Sequence, residues 1–173
     1  MIRALIAIAL LTTLAPLSAC ASDPTRGYAL GSAYDDSIRT IAVPIFQNNT
    51  IERGLETSLT DAIIKQIQTR TPWRIARPDN ADTTLTGALT QHRLSQLSQT
   101  PGTGLVQEQG VTLSIRYEWV DNRTGDILSA RAAFSATSTF VPQRGIGERL
   151  EHAEREAIDE LARDLVEQLR ARW

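Results

Sequence analysis

The distribution of apolar residues predicts an α+β domain: a two-layer sandwich in which a mostly antiparallel sheet of about four strands carries two helices on one face. Three features of the sequence lead there. A β-branched strand is followed by a segment with helical spacing, three segments of period two follow one another with turn residues between them, and a long amphipathic stretch closes the chain.

The first strand is Ile38 to Phe46, with Ile41, Val43 and Ile45 on one face and Thr40, Ala42 and Phe46 on the other. Pro44 has no amide hydrogen to give a ladder, so it implies an edge strand or a bulge. Asn48-Asn49-Thr50 supplies N-cap chemistry for a helix over 51–69, where Leu55, Leu59, Ala62, Ile63 and Ile67 recur every three or four residues. Thr71-Pro72 stops that helix, Trp73 to Ala76 forms a short strand, and Pro78-Asp79-Asn80 turns the chain.

A strand over 83–94 buries Leu85, Gly87 and Leu89, and a polar loop runs from Ser95 to Gly104. The next strand has the clearest alternation, with Val111, Leu113, Ile115, Tyr117 and Trp119 opposed by Thr112, Ser114, Arg116 and Glu118. Asp121 to Gly125 makes a hairpin turn. On the return strand Leu128, Ala130, Ala132, Phe134 and Ala136 share one face, and Ser129, Arg131, Ser135 and Thr137 the other. Pro142 to Gly147 ends the sheet. A second helix over 148–170 then places Leu150, Ala153, Ala157, Leu161, Leu165 and Leu169 on one stripe, its opposite face read as a solvated, ion-paired surface.

The start of the chain indicates its compartment. Arg3 followed by the apolar and small residues from Ala4 to Leu14 has the form of a secretory leader, and its core of about a dozen residues is shorter than the roughly 20 needed to span a bilayer. Leu17-Ser18-Ala19-Cys20 resembles the bacterial lipobox, which implies cleavage after Ala19 and acylation of Cys20. Cys20 is the only cysteine and has no disulfide partner; no cofactor is expected beyond the diacylglycerol and acyl chain it would carry. Ala21 in place of Asp implies release to the outer membrane. Residues 1–19 are thus read as the signal peptide, 20–36 as a lipidated tether, and 37–173 as one folded domain.

Without the leader the chain has 17 basic and 20 acidic side chains, a balance that argues against a nucleic-acid partner. His92 and His152 are far apart in sequence and have no second ligand at metal spacing, and no phosphate loop or nucleophile elbow is present. A binding role rather than catalysis is expected. With both helices on the apolar face, the other face would present Thr84, Thr86, Thr90, Thr112, Ser114, Arg116, Ser129, Arg131, Ser135 and Thr137, a flat hydroxyl-rich wall suited to solvent or to the polar lumen of a β-barrel.

The lipobox, Gly27-Tyr28, the run from Ser37 to Phe46 with Asn48 and Thr50, then Gly54-Leu55-Glu56, Leu59-Thr60 and Ala81 to Gly87 together resemble the LptE family of lipopolysaccharide-assembly lipoproteins. The likeness covers most of residues 27–90, and the later elements match in pattern only. It implies a two-helix, four-strand sandwich that sits inside the barrel of LptD, plugs it, helps it assemble and binds lipopolysaccharide, while the lipid on Cys20 holds it to the membrane. No motif specifies the contacts to lipopolysaccharide. Arg93, Arg116 and Arg131 are candidates from charge and face alone, since arginine forks suit lipid A phosphates. The opening strand is also similar to periplasmic lipoproteins that activate penicillin-binding proteins or serve curli secretion, which would make the chain an activator or assembly factor for a cell-wall synthase or a secretion channel.

Overall fold

The computed structural model describes residues 38–99, 102, 106–142 and 150–171. The expected leader with its expected cleavage site at Ala19, the expected acylation site Cys20 and the expected tether lie outside the described residues, as do most of Pro142 to Gly147 and the first two residues expected in the second helix.

The α+β sandwich is present, with a larger sheet than expected. The elements are β1 (Thr40–Ala42), β2 (Gln47–Asn48), α1 (Leu55–Arg70), β3 (Arg74–Ile75), a 3-10 turn at Pro78–Asn80, β4 (Thr83–Gln99), β5 (Val106–Asp121), β6 (Ile127–Phe140) and α2 (Leu150–Arg170). Six strands replace the expected four, in the order β3-β1-β4-β5-β6, with β2 also on β4. The sheet is mixed: β1 runs parallel to both β3 and β4, β2 parallel to β4, and only the β4-β5-β6 meander is antiparallel. The α1 crossover explains the parallel pairing of β1 and β3, because a helix can return the chain to the same end of the sheet and a tight turn cannot.

The expected single strand from Ile38 to Phe46 is broken at Pro44. Between the pairs Ala42–Thr84 and Gln47–Ala88 the first chain takes five steps and β4 takes four. That extra residue reverses the alternation, so Phe46 is buried at 1% exposure while Ile45 stands 68% exposed. Pro44 therefore lies at a bulge, between β1, which is flanked by β3 and β4, and β2, which pairs with β4 alone.

The buried Phe46 ring lies against Gly87. A Cβ on Gly87 would collide with the ring and fall 2.7 Å from the carbonyl oxygen of Arg116. Thr60 of α1 holds the same phenylalanine from the other side: its Oγ1 accepts the Phe46 amide at 3.0 Å and donates to the Glu56 carbonyl at 2.7 Å. Asp82 clamps the start of β1, its Oδ2 accepting from the Arg39 amide, the Thr40 amide and the Thr40 hydroxyl, while its own amide donates to Thr40 Oγ1. These bonds, first that from Arg39 and then that from the Thr40 hydroxyl, outweigh burial and hold the Asp82 carboxyl below its ordinary range; the nearby Arg123 charge adds to the effect.

Asn48 does not cap the helix directly. Its Oδ1 accepts from the amide and hydroxyl of Thr50, and its Nδ2 donates to the Glu52 carbonyl and the Glu56 carboxylate. Glu56 in turn accepts the Gly54 amide at 3.0 Å, and α1 starts after Gly54, whose φ of 89° suits a residue without a Cβ. The helix consequently begins four residues later than the expected residue 51, leaving Ile51 97% exposed in the preceding bends. The expected stripe of α1 is buried, together with Thr60.

In the core, Trp119 is fully buried and its ring centroid lies 5.2 Å from that of Trp73, beside Leu85, Leu113, Ile115 and the leucines of α2. The two helices pack on each other, with α2 over β5 and β6. Two glutamates assigned to a solvated helix face instead turn toward the sheet: Glu154 Oε1 lies 2.9 Å from His92 Nε2, without the alignment of a hydrogen bond, and Glu156 accepts the Ser138 hydroxyl at 2.7 Å. The Asp121 to Gly125 hairpin forms as expected, closed by Gly125 N to Asp121 O at 2.8 Å.

Gly87→Ala is expected to destabilise the domain by about 1–3 kcal/mol, the range for overpacking a filled core, with a measurable fall in the denaturant midpoint at unchanged slope. Asp82 has its carboxyl depressed in the folded state, so its contribution is present above the unfolded value near ~4 and is lost as pH falls through the lower folded value. Asp82→Asn should therefore lower stability at pH 7 by about 1 kcal/mol and flatten the acid limb of a stability–pH profile; an unchanged limb would refute the clamp.

Candidate functional site

The sheet face away from the helices is the candidate binding surface, and β-bulges decide which residues reach it. Along β4, Leu85, Gly87 and Leu89 face the helices opposite Trp119, Tyr117 and Ile115. Between the pairs Leu89–Ile115 and Gln91–Ser114, β4 has one extra residue, Thr90. The phase then changes: His92 and Leu94 oppose Leu113 and Val111 on the helix side, and Arg93 opposes Thr112 on the outer side. The polar loop expected from Ser95 does not begin there, because Ser95 and Gln96 still pair with Gly110 and Gln109. Alternation is absent from this stretch, and Leu94 and Leu97 are about half exposed.

β6 carries the corresponding correction. From Ile115–Phe134 to Tyr117–Arg131, β5 advances two residues and β6 three. The expected apolar face of β6 therefore holds at Leu128, Phe134 and Ala136, which are buried or packed against the core, and fails at Ala130 and Ala132, which are exposed. Nearer the hairpin it is Ser129 and Arg131 that turn toward the helices: Ser129 Oγ lies 3.3 Å from Tyr117 Oη, and Arg131 Nη2 donates to Gln168 of α2 at 3.1 Å with its guanidinium 5.9 Å from the Phe134 ring centre. Both leave the hydroxyl wall to which they had been assigned. Of the three candidate arginines, Arg93 and Arg116 share the outer face and Arg131 does not.

Most of the remaining hydroxyls of that wall are bonded to neighbouring strands or the hairpin. Thr112 and Thr137 join across β5 and β6 at 2.9 Å, Thr90 donates to the Ser114 carbonyl at 3.0 Å, Ser114 to Gln91 at 3.4 Å, and Thr84 to Asn122 at 2.9 Å. Hydroxyls already satisfied can be covered by another surface at small desolvation cost. The wall also has a recess: an open groove of about 510 Å³ crosses β2, β4, β5 and β6, with Arg116 and Glu118 above a floor that includes Gly87, Ala88, Ala130 and Ala132. The alternation of β5 places Glu118 on this face; Ala130 and Ala132 are expected on the apolar side from their sequence, and Gln47 lies beyond the expected first strand.

Among the described residues no group of three histidine, cysteine or carboxylate side chains is arranged to hold a metal ion, and no helix is long and apolar enough to cross a membrane. The depressed carboxyls, Glu56, Asp82 and Asp121, serve local structure. Glu56 is lowered first by its own amide and then by Asn48, and Asp121 first by the Arg123 side chain and then by the Arg123 amide.

Among solved structures, XCC0632 from Xanthomonas campestris is 9% identical with a TM-score of 0.59, covering 78% of this chain and 85% of that one. The hypothetical protein CT253 from Chlamydia trachomatis is also 9% identical, with a TM-score of 0.56 and coverages of 77% and 96%. Uncharacterized lipoprotein B from Nitrosomonas europaea is 15% identical, with a TM-score of 0.50 and coverages of 77% and 81%. At these identities the likeness concerns the fold alone. No curated protein matches the chain. The family model for LptE, lipopolysaccharide-assembly, matches residues 38–173. Since that span takes in every element from β1 to α2, the chain belongs to the LptE family.

Proposed function

We propose that this protein is an outer-membrane lipoprotein, cut after Ala19 and acylated on Cys20, whose domain seats in the lumen of an LptD-type β-barrel, plugs it, and assists lipopolysaccharide assembly at the outer membrane. The observation that carries this reading is the family match over residues 38–173. The geometry is compatible with it: a flat face of internally bonded hydroxyls is suited to the polar interior of a barrel, whose apolar residues face lipid. The lipobox at Leu17 to Cys20 supplies the anchor, and several acyl chains on one cysteine make attachment durable.

Arg93 and Arg116, both on the outer face, are the candidate contacts to lipopolysaccharide phosphates. Arg131 also borders the groove beside Arg116, but its guanidinium is turned to the helix side, where it bonds Gln168. Assembly and transport require recognition and positioning and no bond chemistry by this chain.

Cys20→Ala should remove the acyl mass increment and the partition into detergent; unchanged partition would show that the anchor lies elsewhere. Arg116→Glu sits on an exposed position, so it should change folding stability by no more than about 0.5 kcal/mol. Tagged wild-type protein purified from outer membranes should retain a large β-barrel in stoichiometric amount, and Arg116→Glu should lose most of it. Recovery of a cell-wall synthase or a secretion pore in place of the barrel would sink the assembly reading.

A further inference from the structure

The two edges of the sheet differ in how well they are closed to another strand. β3 ends one side with two paired residues, Arg74 and Ile75, followed by Pro78, so it offers almost no ladder. β6 ends the other side with fourteen residues, and no strand lies beyond it among the described residues. Proteins blunt exposed edges with charges, prolines, bulges or brevity. β6 has such devices only near the hairpin, where the irregular register and Arg131 sit. From Phe134 to Phe140 the sequence Phe-Ser-Ala-Thr-Ser-Thr-Phe has no charge, proline or glycine, and its pairing with β5 is regular. Its side chains alternate, with Ala136, Ser138 and Phe140 buried and Ser135, Thr137 and Thr139 exposed. Seven residues present an edge of about 24 Å.

A groove lies beside this edge. Phe140 and Thr139 of β6 and His152, Arg155, Glu156 and Asp159 of α2 border an open recess of about 340 Å³. An edge strand flanked by a helix is the arrangement in which an added strand gains main-chain hydrogen bonds from the edge and side-chain selectivity from the groove. The charge of α2 selects the occupant: from Leu150 to Arg170 it carries seven carboxylates and three arginines. Within the groove, Arg155 lies 3.4 Å from His152 Nδ1, and Glu156 is held at the edge by the Ser138 hydroxyl.

We propose that Phe134–Phe140 and the adjoining face of α2 form a strand-addition site for an extended, basic polypeptide segment of a partner protein. The segment continues the sheet beyond β6 and places alternate lysine or arginine side chains beside Glu156 and Asp159. This site is on the β6 edge and the helix side, apart from the hydroxyl wall, and it does not depend on the barrel reading.

The test uses the full-length protein in non-ionic detergent at low ionic strength, with a nine-residue peptide alternating lysine and threonine and a counterpart alternating glutamate and threonine. The lysine peptide should bind and slow amide exchange within Phe134–Phe140 by at least about tenfold. Proline at one of two adjacent central peptide positions should abolish binding, because only alternate amides face the edge. Asp159→Asn and Glu156→Gln should each weaken binding by about twofold to fivefold; glutamine keeps an acceptor for Ser138 and so spares the fold. Raised salt should weaken the wild-type complex further. Absence of binding, binding without protection of Phe134–Phe140, insensitivity to both prolines, or equal affinity for the glutamate peptide would each overturn the proposal.

Discussion

Phe46 can pack against the sheet only because Gly87 beneath it has no side chain, and much of the domain follows from that contact. The ring links the parallel part of the sheet to the antiparallel meander, and Thr60 ties it to α1 through the Phe46 amide. Reaching this place requires the extra residue at Pro44, without which Phe46 would fall on the solvent side and Ile45 in the core. The Asp82 carboxylate fixes the other end of the same strand pair by gathering the Arg39 and Thr40 donors. Together these interactions set the register of β1 and β2 on β4, and a one-residue slip would turn their side chains over.

This gives the residues behind the family resemblance a physical meaning. Asn48, Thr50, Gly54 and Glu56 bond within the entry to α1, while Thr60 and Gly87 hold Phe46 and Asp82 holds Arg39 and Thr40. They specify how the first strand joins the helix and the meander. The surface that would meet a partner shares Thr84, Thr86 and Gly87 with that set and takes the rest from β5 and β6, where the resemblance is one of pattern only.

The bulges are the second organising feature. An inserted residue costs local pairing but rotates every later side chain to the opposite face, so one strand can contribute to both layers in different ways along its length. On β4 the change puts His92 near Glu154 and leaves Arg93 outside; on β6 it draws Arg131 to the helix side and confines the regular edge to the distal half. The hydroxyl wall, the groove below Arg116 and the open edge of β6 all depend on where those insertions fall.

The α+β class, both helices, the hairpin at Asp121 to Gly125 and the buried face of β5 were legible in the sequence because each depends on local periodicity or turn chemistry. Leu55 to Ile67 repeats at helical spacing and Val111 to Trp119 at period two whatever the rest of the chain does. Strand pairing was not legible in the same way. Whether β1 joins β3 and β4 in parallel, and whether Ser95 to Gln99 continues a strand, depends on distant backbone partners, and polar side chains exposed on both faces leave no alternation to read. Thr90 and the Ala132-Ala133 region look ordinary as sequence, yet they decide that Arg93 and Arg116 share a face and Arg131 does not. Sequence alone determined the elements and the family to which they point; tertiary structure decided the faces, because the phase of a strand is set by every inserted residue in its pairing and such an insertion carries no composition of its own.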